Sequence, residues 1–131
     1  MYFVYVKLYL TPLLILISSC LFGQKLGYDD SLKIKINQTS DNSTKVELLV
    51  DLGYYYSDHT VDSLYGVAHQ LINLANKIEQ PCNEAIGYHY KGNYFYTKGE
   101  YQDALSFYKK SMTLRERHCD IEKVAASAVQ V

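Results

Sequence analysis

Two stretches of the chain repeat apolar residues at the three-and-four spacing of a helix with one buried face. In "ALSFYKKSMTLRERH", residues 104 to 118, Ala104, Leu105, Phe107, Tyr108, Ser111, Met112 and Leu114 share a side, while Gln102, Asp103, Lys109, Lys110 and Arg115 fall mostly opposite. In "LYGVAHQLINLANKI", residues 64 to 78, the set is Leu64, Val67, Ala68, Leu71, Ile72, Ala75 and Ile78. Thr60 or Asp62 fits the N-cap of that helix, and Pro81 stands just beyond its end. "YHYKGNYFYTKGEY", residues 88 to 101, is ambiguous: Tyr88, Tyr90, Tyr94 and Tyr96 alternate as in a strand, whereas Tyr88, Lys91, Gly92 and Phe95 share a helix face with Ala85. The following "TKGEY" decides for a helix, because it supplies the Gly of a helix-ending turn and Glu100 to open the next helix. Tyr88, Gly92, Phe95 and Tyr101 are then expected to face the core.

The segments recur. "VELLVDLGYYYS" at 46 to 57 and "AIGYHYKGNYFYT" at 85 to 97 each carry a Gly inside an aromatic run, Gly53 and Gly92, 39 residues apart. Leu74 and Leu114, in the segments that follow, are 40 apart. "IEKVAASAVQV" at 121 to 131 opens as a third copy. Two helical segments per period of about 40 residues mark a helical array.

On these residues the chain resembles a tetratricopeptide repeat (TPR) protein. Tyr88, Gly92, Phe95, Gly99, Tyr101, Ala104, Tyr108 and Ser111 fill the places of that pattern in order, and Lys91 departs by replacing its usual Leu. In the preceding copy Leu52, Gly53 and Tyr56 match, but Leu64, Ala68 and Leu71 stand where the pattern has Ala, an aromatic and Ala. The resemblance covers 45–131: a degenerate copy at 45–80, the best matched at 85–118 and a truncated one at 120–131. It implies an all-α fold, a right-handed superhelix of antiparallel helix pairs with about two and a half repeats. Close helix approach at Gly92 and a tight crossing at Ala104 are expected.

The N-terminal "MYFVYVKLYLTPLLILISSCLFGQ", residues 1–24, has one charge, Lys7, then an apolar core from about Leu8 to Ile17 and small residues after it. This is the layout of a secretory signal. Three endings fit it: cleavage near Cys20 to Gln24, lipidation of Cys20 in the lipobox-like "ISSC", or retention as an anchor. Each puts the remainder outside the cytoplasm, in the periplasm, attached to the membrane through the N-terminus, or secreted. Residues 25–44, rich in Asn, Asp, Ser and Thr, are expected to be a polar linker with one short helix around Ser31 to Ile36. Signal, linker and repeats together also resemble the extracytoplasmic sensor regions of Bacteroidetes-type histidine kinases and transcriptional regulators. On that resemblance the chain reads as a fragment of such a protein.

Charge narrows the partners. With 13 Lys and Arg against 14 Asp and Glu the chain lacks the basic excess that neutralises phosphates, so no nucleic-acid partner is expected. His59, His69, His89 and His118 are scattered, with no metal-ligand spacing, and no nucleophile has a matching His and acid, so neither an enzyme nor a metal or cofactor site is expected. Cys82 and Cys119 fall in loops about one repeat apart and are expected to remain unpaired. What is left is binding. The TPR resemblance implies a concave groove lined by the first helices of the repeats. Here its residues would be Ile86, His89, Asn93, Tyr96 and Thr97, with Val50, Tyr54 and Ser57 beside them, meeting a protein or peptide ligand. Asn93 matches the Asn that some family members use on a peptide backbone. The lysines of the carboxylate clamp are missing.

Overall fold

A computed structural model describes residues 26–119 of the chain. The expected signal segment at 1–24 with Cys20, and the expected third copy at 120–131, lie outside the described residues. Five helices follow one another: α1 Tyr28–Gln38, α2 Asn42–His59, α3 Val61–Lys77, α4 Pro81–Thr97 and α5 Tyr101–His118. The fold is all-α, and no strand occurs among the described residues. Each helix packs on the next, α2 also packs on α4, and α5 packs on α4 alone. None of the described helices is long and apolar enough to cross a membrane.

Local chemistry sets the helix ends. At α2, Asp41 is the N-cap, and its carboxylate accepts from the Thr44 backbone N–H at 2.7 Å and the Thr44 hydroxyl at 2.6 Å. The α3 start departs from expectation: Thr60 is the N-cap, but neither its side chain nor that of Asp62 caps the helix, and Asp62 instead pairs with Lys98 past the end of α4. Pro81 occupies the first turn of α4, where its missing N–H costs nothing. Helices α3 and α4 end alike. Gln80 N–H donates to Ala75 O at 2.8 Å and Glu100 N–H to Phe95 O at 2.9 Å, each across a residue in the left-handed region, Glu79 at φ 57° and Gly99 at φ 80°.

The core runs along α2 and α3. Val46, Leu49, Leu52, Leu64, Leu71 and Ala75 are sealed from solvent, and Leu32, Ile36 and Tyr90 close over them from α1 and α4. The expected polar linker is corrected here: its helix is longer than predicted, and Leu32 and Ile36 at i, i+4 insert into the core, so α1 is part of the packed body. On α4 the ring of Tyr90 is buried, Tyr88 and Phe95 are half-buried, and Tyr101, expected in the core, is 62% exposed. Tyr101 begins α5 at the turn and lies edge-on against the exposed Tyr96, with ring centroids 5.5 Å apart.

Cys82 and Cys119 are disulfide-bonded, with Cα atoms 5.6 Å apart. This overturns the expectation that they stay unpaired. Distance along a stack of repeats is the wrong measure for them, because α4 runs out and α5 runs back, so the end of α5 returns to the start of α4. The bridge therefore closes one helix hairpin.

Two glycines mark the closest approaches between helices. A Cβ at Gly53 would overlap the ring of Tyr90, lying 2.6 Å from its Cδ2, and a Cβ at Gly92 would overlap the ring of Tyr108. The expected close approach at Gly92 is present, as is the tight crossing of α4 and α5. There Ala104 is buried and the Ser111 hydroxyl donates to Ala85 O at 2.7 Å.

Candidate peptide-binding face

The candidate residues fall on α2 and α4. Spacings of three and four residues put Val50, Tyr54 and Ser57 along one line of α2, and Ile86, His89, Asn93, Tyr96 and Thr97 along α4. The two helices are joined by Tyr90, whose hydroxyl donates to the Val50 carbonyl at 2.9 Å while its ring sits against Gly53. Burial pushes the Tyr90 phenol up to about 12, helped by the nearby Asp51 and by Tyr54. The hydroxyl thus stays a donor at any physiological pH.

On α4 a second set of rings organises the face. The Tyr108 hydroxyl, from α5, donates to Asn93 Oδ1 at 2.8 Å, and the Tyr108 ring lies tilted against His89 with centroids 5.3 Å apart. Burial raises the Tyr108 phenol, with a smaller push from Tyr96, and burial with the charge of Arg115 lowers His89 below the usual imidazole value. His89 is therefore neutral at pH 7. With one Asn93 oxygen lone pair held by Tyr108, the side-chain amide keeps its two N–H donors for another acceptor.

The remaining candidates differ in availability. Tyr54 and Tyr96 are 69% and 60% exposed. Ser57 and Thr97 donate back to the helix, to Gly53 O at 2.9 Å and to Asn93 O at 3.0 Å, which leaves their oxygens as acceptors. Val50 and Ile86 are half-buried against the core cluster, so they serve as floor rather than as contact points. Charge is sparse among these residues, and no group of three or more His, Cys, Asp or Glu residues that could hold a metal occurs among the described residues.

Nothing in the spacing of the candidate residues marks Tyr90 and Tyr108 as organisers of this face. One sequence signal was available for Tyr90. Gly92 has a ring, Tyr108, 16 positions on, whereas the places 15 and 16 positions beyond Gly53 hold Ala68 and His69, so the Gly53 notch needs a ring from elsewhere.

Lys91, the departure from the repeat pattern, lies on a different side of α4. Its ammonium stands 5.1 Å from the centroid of Tyr65 on α3 and 5.5 Å from that of Phe107 on α5, and burial lowers its pKa. The stem of Lys91 and the rings of Tyr88, Phe95 and Phe107 fill the seam between α3 and α5, which do not touch each other. No protein-family model, curated protein sequence or solved structure matches the chain.

Proposed function

We propose that this protein is a non-enzymatic interaction module of the tetratricopeptide type, binding a peptide or protein across the paired faces of α2 and α4. The observation that carries this reading is the Tyr90 to Val50 hydrogen bond, which holds the two helices side by side in one register. Tyr54 and Ser57 on α2 and His89, Asn93 and Tyr96 on α4 then offer rings, hydroxyls and amide donors with little charge. Such a surface suits an extended or helical segment whose backbone carbonyls meet Asn93 and whose side chains lie on Tyr54 and Tyr96. The spacing of Gly53 and Gly92, each receiving a tyrosine ring, supports the repeat assignment.

The test is a ligand captured by the purified chain and titrated into isotope-labelled protein. Shift changes at His89, Asn93 and Tyr96, and loss of capture in Asn93→Ala, are the expected results. Changes confined to α3 and the outer face of α5 would reject the groove.

A second reading, the sensor region of a membrane-bound regulator, is supported by the Cys82–Cys119 disulfide, since such bonds persist outside the reducing cytosol. Alkylation of cells before lysis tests the location: a protected Cys82 and Cys119 pair agrees with export, and modification of both thiols opposes it.

A further inference from the structure

Among the described residues α5 packs on α4 alone, and its side bearing Leu105 and Met112 is open, with those residues 48% and 58% exposed. The matching side of α3 is covered. In the 40-residue register Leu105 corresponds to Tyr65, which packs on Tyr94 and Phe95 of α4. Met112 corresponds to Ile72, which is 7% exposed and lies against Gly87 of α4. What covers the α3 side is the helix that follows α3 in the chain.

The chain leaves α5 on a course that suits such a helix. Cys119 N–H donates to Arg115 O at 2.9 Å, just as N–H of Thr60, the one residue between α2 and α3, donates to Tyr56 O at 3.0 Å. The disulfide sets Cys119 beside Cys82 at the start of α4, with Cα atoms 5.6 Å apart. A helix that resumes at 120 would start level with Pro81, 39 residues earlier, and run alongside α4 in the register that relates α4 to α2.

The sequence of 120–131 matches that position. Ile121, Val124, Ala125 and Ala128 recur at the spacing of one helix face. Three contacts of α4 have compensated counterparts. A Cβ on Gly87 would lie 2.6 Å from Ile72 Cγ1, whereas the counterpart pair is Ala126 with Met112, an unbranched side chain that yields room for one methyl. Asn76 Nδ2 donates to Glu84 Oε2 at 3.3 Å, and the counterparts are Glu116 and Lys123, of opposite charge. The Gly53 notch takes its ring from Tyr90 on α4, with Ala68 on α3. The Gly92 notch already holds Tyr108 from α5, and the counterpart of Tyr90 is Val129, so each notch receives one ring.

We propose that residues 120–131 form a further helix that docks on the open side of α5 and α4, with Ala126 on Met112, Lys123 paired with Glu116, and Val129 beside Tyr108. The docking rests on the repeat register and needs no ligand on the α2–α4 face, so its test and ligand capture succeed or fail separately.

The test is NMR on the full chain with the disulfide intact. The Met112 methyl should show a nuclear Overhauser contact to the Ala126 methyl. Amides of 124–131 should exchange at least about tenfold more slowly than in the free peptide of the same sequence. Glu116→Lys should quicken that exchange about twofold to fivefold, the scale of one exposed ion pair, and adding Lys123→Glu should restore it. Both substitutions lie outside the buried core, so folding is retained. Free-peptide exchange rates in the parent, indifference to Glu116→Lys, or failure of the charge swap to restore protection would overturn the docking. So would a Met112 contact seen only between differently labelled chains in a mixed sample, which would assign the face to a second copy.

Discussion

The ring of Tyr90 occupies the notch that Gly53 leaves on α2, and its hydroxyl reaches the Val50 carbonyl, three residues before that glycine, at 2.9 Å. One side chain thus fixes both the spacing and the register of α2 against α4. Gly53→Ala should cost about 1–3 kcal/mol by overpacking against the ring. Tyr90→Phe, which leaves the ring in place and the Val50 carbonyl with its helical partner alone, should cost about 0.5–1.5 kcal/mol. In a Tyr90→Ala background the methyl at position 53 meets no ring, and Gly53→Ala should become neutral or gain up to about 1 kcal/mol of helix propensity. Urea unfolding of the four proteins measures this reversal of sign, and additive losses would reject the contact.

The disulfide predicts where the fold is weakest without it. Helix α5 packs only on α4, and its Leu105 and Met112 are 48% and 58% exposed, so a single neighbouring helix and the bridge hold it in place. Cys82 and Cys119 are separated by 37 residues, for which loop-closure entropy gives a loss of about 3–4 kcal/mol on removal of the bridge. Cys82→Ser with Cys119→Ser should lower urea stability by about that amount. Hydrogen exchange should quicken first in the last two turns of α5, while the amides of α2 and α3 keep the protection of the main core. Equal loss of protection in all five helices would show that α5 is not a separate unit.

The crossing of α4 and α5 makes a third prediction. Ala104 and Ser111 are both 2% exposed, and Ser111 spends its hydroxyl on Ala85 O, beside Gly92 and its tyrosine. Ala104→Leu should cost about 1–3 kcal/mol, since a well-packed crossing has no room for three more carbons. Ser111→Ala removes one hydrogen bond and leaves a buried carbonyl oxygen with its helical partner alone, for about 0.5–1.5 kcal/mol. A thermal melt of each variant, with the order Ala104→Leu below Ser111→Ala below the parent, is the check.

The helices were legible wherever spacing and punctuation agreed. Leu64 through Ile78 and Ala104 through Leu114 carry the helical period, and Gly99 at φ 80° is a turn glycine by composition alone. The role of Glu79 in the matching turn at φ 57° was not legible, because nothing local marks a glutamate as left-handed and the turn is held by the Gln80 to Ala75 bond. The repeat pattern assigns Tyr101 to a packed position, whereas the partner its ring meets is the exposed Tyr96. Composition reads residues 28–38 as linker, yet eleven polar-rich residues need only two apolar ones, Leu32 and Ile36, to join a core. Of the candidate face, the choice of helix sides followed from spacing. The hydrogen bonds from Tyr90 and Tyr108 did not, since a phenol's partner depends on which neighbouring helix comes within reach.

Two groups near the candidate face give stability opposite dependences on pH. His89 has its imidazole lowered below 6.5 by burial and by Arg115, so the folded protein binds fewer protons than the unfolded chain when pH falls below that value. Its contribution is present above about pH 6.5 and is lost as pH falls through the folded value. Tyr90 is raised from 10.0 to about 12 by burial, Asp51 and Tyr54, so its contribution is present below pH 10.0 and is lost as pH rises toward about 12. Stability measured by urea unfolding should therefore fall between about pH 7 and pH 5, and His89→Gln should flatten that limb while leaving the alkaline one. Tyr90→Phe should do the converse, flattening the loss above pH 10.0 at the cost of the Val50 hydrogen bond. Proton NMR of the His89 ring reads the first shift directly, and a titration midpoint at or above 6.5 would remove the acid limb from His89.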